Sequence, residues 1–189
     1  MFNKKLLILV ILTALNGFSM CSNKKSESID EHAYKFLNDF FARTEMPCFC
    51  KYKVEDKFTP WDITKGDIKS LETMDSVFSK ADVEFLSQQF SNLKASKIDL
   101  EKLNSPKLIS SDSLQGFGDN WTKKFWENFE NKYHDNLYHS VSIPLFSKDY
   151  KKAIIVAMAN SEGGAYGASY IFDKRGDIWV PIHQWMMFE

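Results

Sequence analysis

The longest apolar run outside the N-terminus is Ala153–Ala159, AIIVAMA, entered through Lys151-Lys152 and left through Asn160. It is too short to span a bilayer and rich in Ile and Val, which suits a central strand buried on both faces. Such a strand needs neighbours on either side and apolar cover above and below. Ser140–Phe146 alternates through Val141, Ile143 and Leu145, with Pro144 arguing for an edge position. Ser147–Tyr150 reads as a turn, Asn160–Gly167 as a glycine-rich loop, Ala168–Phe172 as a strand, Asp173–Gly176 as a tight turn and Ile178–Met187 as the last strand. Connections this short predict antiparallel neighbours, a meander from Ser140 to Met187 with helices on one face.

The cover is legible upstream. Ser28 with Glu31 forms a capping box, and Ile29, Ala33, Phe36, Leu37, Phe40 and Phe41 then recur on one helical face that ends near Arg43. Cys48, Cys50, Tyr52 and Val54 alternate as one side of a half-buried strand. Glu55–Asp75 reads as mostly irregular, with a short helix near Ile68–Met74. Ser79 opens a second helix with Asp82 at N3, Phe78 stapled to Val83, and a stripe of Val83, Leu86, Phe90 and Leu93. One turn follows at Asp99–Leu103, then a short strand at Lys107–Ser110 and a loop at Ser111–Gly118. A third helix, capped by Asp119 or Asn120, runs from Trp121 to Tyr133 and carries Trp121, Phe125, Phe129 and Tyr133, suited to covering a sheet. The fold class expected is α+β, about three helices packed on a C-terminal antiparallel β-meander, as one domain over residues 29–189.

The N-terminus changes the picture. Asn3-Lys4-Lys5 is a basic n-region, Leu6–Leu15 an apolar core well short of the ~20 residues of a spanning helix, and Asn16–Ser19 a small, polar exit. Residues 1–20 therefore read as a signal peptide. Phe18-Ser19-Met20-Cys21 resembles a bacterial lipobox, which implies lipid modification of Cys21 and an envelope lipoprotein anchored to the membrane, expected at the outer membrane. Ordinary cleavage after Gly17-Phe18-Ser19 is the alternative and would leave a secreted or periplasmic soluble protein. Residues 21–28 then form the lipidated Cys and a polar tether, whose seven residues from Ser22 reach about 25 Å when extended.

From Phe125 to near the C-terminus, the pattern Phe125-Trp126-x-x-Phe129-x-x-x-Tyr133, then Ser142-x-Pro144-x-Phe146-Ser147-x-Asp149 and a closing Gly176-x-x-Trp179, resembles a group of uncharacterised small lipoproteins and secreted proteins of the Bacteroidetes. That resemblance supports the fold and the cellular address and implies no activity. The hairpin that often carries cysteines in that group has none here between Ser161 and Gly167.

Charge excludes one class of partner: 24 basic against 25 acidic residues make no field for nucleic acid. Loss of Lys4 and Lys5 with the signal takes the net charge from −1 to −3. Candidate chemistry is sparse. Cys48 and Cys50, in an oxidising envelope, are a possible disulfide or redox pair, although residues i and i+2 of a flat strand lie near the upper limit for bonding; a bridge in a bent segment and two buried thiols are the alternatives. His134, Asp135 and His139 are close enough in sequence to suggest a hydrolase, but their spacing is not that of a helical ligand pair and no third metal ligand is evident. Gly163-Gly164-x-x-Gly167 precedes a strand rather than a helix, so a hairpin is expected in place of a phosphate cradle. Arg175-Gly176-Asp177 is explained by a turn that needs a glycine with positive φ. Trp179 and Trp185 with Tyr166 suggest either a stacking platform for sugars or core packing. No cofactor is implied. The function expected is a non-catalytic envelope binding or interaction module that meets an unknown envelope protein or glycan ligand through Asn160, Glu162 and Tyr166; the competing class is an enzyme, thiol redox through Cys48/Cys50 or hydrolytic through His134/Asp135/His139.

Overall fold

The computed structural model describes residues 29–42, 53–59, 68, 71, 73, 77–93, 97–104 and 107–188, without the side chains of Ile29, Leu100 and 185–188. Among the described residues, eleven named elements follow one another with a 3₁₀ turn among them: α1 (Ile29–Ala42), β1 (Lys53–Glu55), α2 (Lys80–Asn92), the 3₁₀ turn Leu100–Lys102, β2 (Lys107–Ile109), α3 (Ser111–Gly116), α4 (Lys123–Tyr133), then β3 (Leu137–Val141), β4 (Leu145–Phe146), β5 (Lys152–Ser161), β6 (Gly164–Arg175) and β7 (Ile178–Phe188), where the two short strands β3 and β4 share one side of β5. The sheet order is β2-β1-β3-β5-β6-β7, with β4 also on β5. The fold is α+β: three substantial helices and a C-terminal antiparallel β5-β6-β7 meander inside a mixed sheet, since β1 pairs in parallel with both β2 and β3.

The central run sits where its composition requires. Ala153, Ile154, Ile155, Val156 and Ala157 are all buried, and because successive side chains of a strand point to opposite faces, both faces must be covered. Ala153, Ile155 and Ala157, with Phe172 and Trp179, pack against Phe36, Leu37, Phe40 and Phe41 of α1. Ile154, Val156 and Ile171 pack against Val83 and Leu86 of α2. The expectation of helices on one face is therefore corrected: α1 covers one face and α2 the other. Tyr138, cross-strand from Asn160 and so on the α2 face, carries α4 through Trp126 and Phe129. The predicted apolar faces of α1 and α2 were right; what the pattern could not give was which side of the sheet each takes.

Other boundaries move for local reasons. Ser111–Gly116 is a helix, not a loop, and Leu114 is buried beneath it. α4 begins two residues later than expected, capped by the Thr122 hydroxyl, which accepts from the Phe125 N–H at 3.3 Å. Trp121 thus precedes the helix and is 64 % exposed instead of joining the aromatic face. The strand expected over Ser140–Phe146 is two strands interrupted at Ser142–Pro144. Pro144 has no N–H to give, and Ser142 repairs the ladder: its N–H donates to the Val156 carbonyl at 2.9 Å, while its hydroxyl accepts from the Val156 N–H at 3.0 Å.

Two strand edges are closed by helix side chains. On β4, Gln89 of α2 accepts from the Phe146 N–H at 3.1 Å and donates to the Phe146 carbonyl at 2.7 Å, so one buried amide stands in for a neighbouring strand. On β7, Asp39 of α1 accepts from the Trp179 N–H at 3.2 Å, and Pro181 two residues on has no donor to offer. Edges left open invite pairing with other chains. The α2 start is tied to the same corner: beyond its capping box with Ser79, Asp82 accepts from the Lys148 N–H at 2.9 Å. Replacing Gln89 by Leu keeps its bulk and strips a buried N–H and C=O of their partners; we expect a loss of about 2–4 kcal/mol in denaturant unfolding. An unchanged midpoint would show that the Phe146 backbone is satisfied without the amide.

Candidate functional site

The β5–β6 hairpin is built differently from the loop expected there. Strand pairing continues through Asn160↔Ala165 and Ser161↔Gly164, leaving Glu162-Gly163 as a two-residue turn. Gly164 has φ 127°, a conformation that side chains rarely adopt. Gly167 lies opposite Met158, and a Cβ there would come within 3.0 Å of the Met158 side chain. The glycines thus serve a tight turn and a close cross-strand approach, which corrects the reading of Asn160–Gly167 as a loop.

This architecture separates the three expected contacts. Asn160 faces the α2 side, where its amide donates to the Ser140 hydroxyl at 3.3 Å and lies 3.5 Å from the Tyr138 carbonyl. Tyr166 pairs with Ala159 and points to the opposite, α1 face, with 58 % of its surface exposed. Glu162 stands exposed in the turn itself. Glu162 lies in the turn as a carboxylate acceptor and Tyr166 at the third rung of the ladder from it as an aromatic face, while the Asn160 amide is turned towards β3. Trp179 is 5 % exposed and packs edge-on against Phe36 at 5.2 Å, so it belongs to the core and not to a stacking platform.

The three residues of the expected hydrolase set are each engaged differently by the fold. His134 closes α4 in the left-handed conformation at φ 53°, its N–H donating to the Glu130 carbonyl at 2.8 Å, and its side chain is exposed. Asp135 is engaged by Lys53 of β1 at 2.9 Å, a pair largely sheltered from solvent, and also accepts from the Asn136 N–H. His139 is wholly buried in β3, and that burial pushes its imidazole down to about 4, the charge of Asp135 pulling the other way. Among the described residues no three of His, Cys, Asp and Glu are placed to hold a metal. Cys21, Cys48 and Cys50 lie outside the described residues.

A polar corner that the sequence pattern did not flag sits under the N-terminal end of α4. The Tyr138 phenol is raised by burial, against a hydrogen bond with the Asn120 side chain and with the added repulsion of Glu55. Glu55 itself is raised by burial and by adjacent Asp56, with Lys57 opposing. Trp126 closes the corner, its indole N–H donating to the Asn120 carbonyl at 2.8 Å and its ring stacked on Tyr138 at 5.8 Å. Asn120 thus links β3 and α4 through Tyr138 and Trp126, and Glu55 of β1 acts on Tyr138 through its charge.

No family model, curated protein or solved structure matches the chain.

The buried His139 sets a pH dependence. Its native pKa lies below the unfolded value of about 6.5, so only the unfolded chain takes up a proton as pH falls from 6.5 to 4. Stability is full above that window and falls through it by up to about 3 kcal/mol. Asp82 and Asp149 stay charged there: despite the opposing effect of burial, both are held below the usual carboxylate range, Asp82 by Ser79 and Lys148, Asp149 by Ser147 and Lys151. Urea midpoints of the wild type and of His139→Gln between pH 4 and 7 check this; the variant should show a distinctly shallower slope, and parallel curves would mean that His139 titrates alike in both states.

Proposed function

We propose that the chain is an envelope lipoprotein whose folded domain is a non-catalytic binding or interaction module, with the tip of the β5–β6 hairpin as its contact surface. The observation that carries the reading is Tyr166: an aromatic side chain 58 % exposed on a strand whose neighbours Ala165, Ala168 and Ser169 are buried. Large apolar surface held out of a packed sheet is where partners gain most from contact, and the two-residue turn holds it rigidly. Glu162, in the turn at the end of the same hairpin, adds a carboxylate that accepts hydrogen bonds from a hydroxyl-bearing or cationic partner.

The anchor rests on the sequence. Lys4-Lys5, the apolar Leu6–Leu15 and Cys21 supply a signal and a lipid attachment point, and Ser22–Ser28 a tether, so membrane attachment would be through acyl chains. No described helix is long and apolar enough to cross a membrane. The hydrolase reading gains nothing from His134, Asp135 and His139, which serve as a helix cap, an ion-pair partner and a core residue.

Two measurements test the proposal. The intact mass of protein purified from a bacterial membrane fraction is expected to lack residues 1–20 and to carry added acyl mass at Cys21; cleavage after Ser19 without lipid would overturn the anchor. Tyr166→Ala and Glu162→Ala are expected to reduce recovery of bound partner from envelope extracts severalfold while shifting stability by less than about 0.5 kcal/mol, as surface changes do. Unchanged recovery in both would remove the hairpin as the contact surface.

A further inference from the structure

The two ends of β5 differ in what they carry. At its start, the β4–β5 turn is packed by the first turns of α1: the His32 ring stacks on Tyr150 at 4.0 Å and 21°, and lies 6.3 Å from Phe146. The chain therefore enters the domain, at Ile29, beside that turn. At its other end lies Glu162-Gly163. β5 has ten residues, and at ~3.3 Å per residue the hairpin tip stands about 30 Å from the point of entry.

Charge divides the same way. From Ala153 to Phe172 the only charged residue is Glu162, whereas Lys148, Lys151, Lys152, Lys174 and Arg175 all lie in or beside the turns at the entry end. Asp149, Asp173 and Asp177, with Asp30 and Glu31 of α1, balance them there. The entry end is mixed in charge; the hairpin turn itself carries one charge, Glu162, and the neighbouring α4–β3 connection at that end adds the Asp135–Lys53 ion pair, which is neutral overall.

We infer that the anchored end and the binding end of the molecule are opposite ends of β5, so that the hairpin meets ligands in the aqueous space beyond the lipid headgroups and not the bilayer itself. The inference rests on the proposed anchor and hairpin site and adds the direction in which that site looks. The tether keeps the point of entry within about 25 Å of Cys21, and β5 carries the tip about 30 Å further on. The turn itself offers no basic residue to anionic headgroups, whose pull reaches about a Debye length, about 8 Å at physiological salt, so nothing in Glu162-Gly163 draws the tip to the bilayer. The ligand is then a water-borne molecule or polymer that offers hydroxyl or cationic donors to Glu162 and a flat apolar face to Tyr166.

The test uses full-length lipidated protein in vesicles of zwitterionic and anionic phospholipid with a fluorescent acceptor on the headgroup. A fluorescent amino acid is placed at Gly163 or, in a second preparation, at Lys151; a Cβ at Gly163 would meet only the Ser161 hydroxyl oxygen, at an ordinary 3.9 Å, and its φ is outside the left-handed region. Energy transfer to the membrane is expected to be severalfold weaker from position 163 than from 151. Equal or stronger transfer from 163 in protein that floats with the vesicles would overturn the orientation while leaving the anchor intact. Protein that does not float removes the anchor, and with it the inference.

Discussion

The structure depends on the burial of β5 on both faces. A strand reading AIIVAMA has no side to show to water, so each face must be sealed by an independent apolar surface. One is the phenylalanine stripe of α1 and the other the Val83–Leu86 stripe of α2. These helices are separated in sequence by β1 and the segment after it, yet they meet the same strand through alternate residues, Ile155 on one side and Ile154 on the other. The aromatic cluster around Phe36, Phe146, Phe172 and Trp179 is the densest expression of this packing, with ring pairs set edge-on at 5–6 Å as their quadrupoles prefer.

Covering the faces leaves the edges, and the helices resolve those as well. Gln89 is a polar residue on the buried stripe of α2, an apparent flaw until its amide is seen paired with both backbone groups of Phe146. Asp39 does a smaller version of the same service for Trp179. In each case a helix that packs on the sheet for hydrophobic reasons also carries one side chain aimed at an exposed strand edge, which ties its register to the strand. The Ser142 hydroxyl acts likewise inside the sheet, where Pro144 forces β3 and β4 apart.

Against this background the hairpin tip is the exception. Elsewhere in the β5-β6 ladder the large apolar side chains are buried or half-buried; near the tip, Tyr166 is held out on one face and Glu162 in the turn, while Asn160 is turned to Ser140. A site set on paired strands is positioned by the ladder on both sides and loses little entropy on binding. The features that first drew attention to His134, Asp135 and His139 have structural explanations: a left-handed cap, an ion pair with Lys53 and a core imidazole.

What the sequence determined by itself was periodic. The two-sided run of β5, the stripes of α1 and α2 and the Ser79–Asp82 cap are local signals, and these formed where their periods placed them. The sequence also marked Glu162 and Tyr166 as hairpin residues. Tertiary structure decided everything that depends on relations between distant residues. It set α1 and α2 on opposite faces, paired β1 in parallel with β3, turned the expected loop at Asn160–Gly167 into ladder, and sent Asn160 and Tyr166 to opposite sides of the sheet. The physical reason is that periodicity states which residues of one segment share a face. Which of two faces that is, and what backbone groups lie across from a Gln89 or an Asp39, is fixed only by register between segments tens of residues apart.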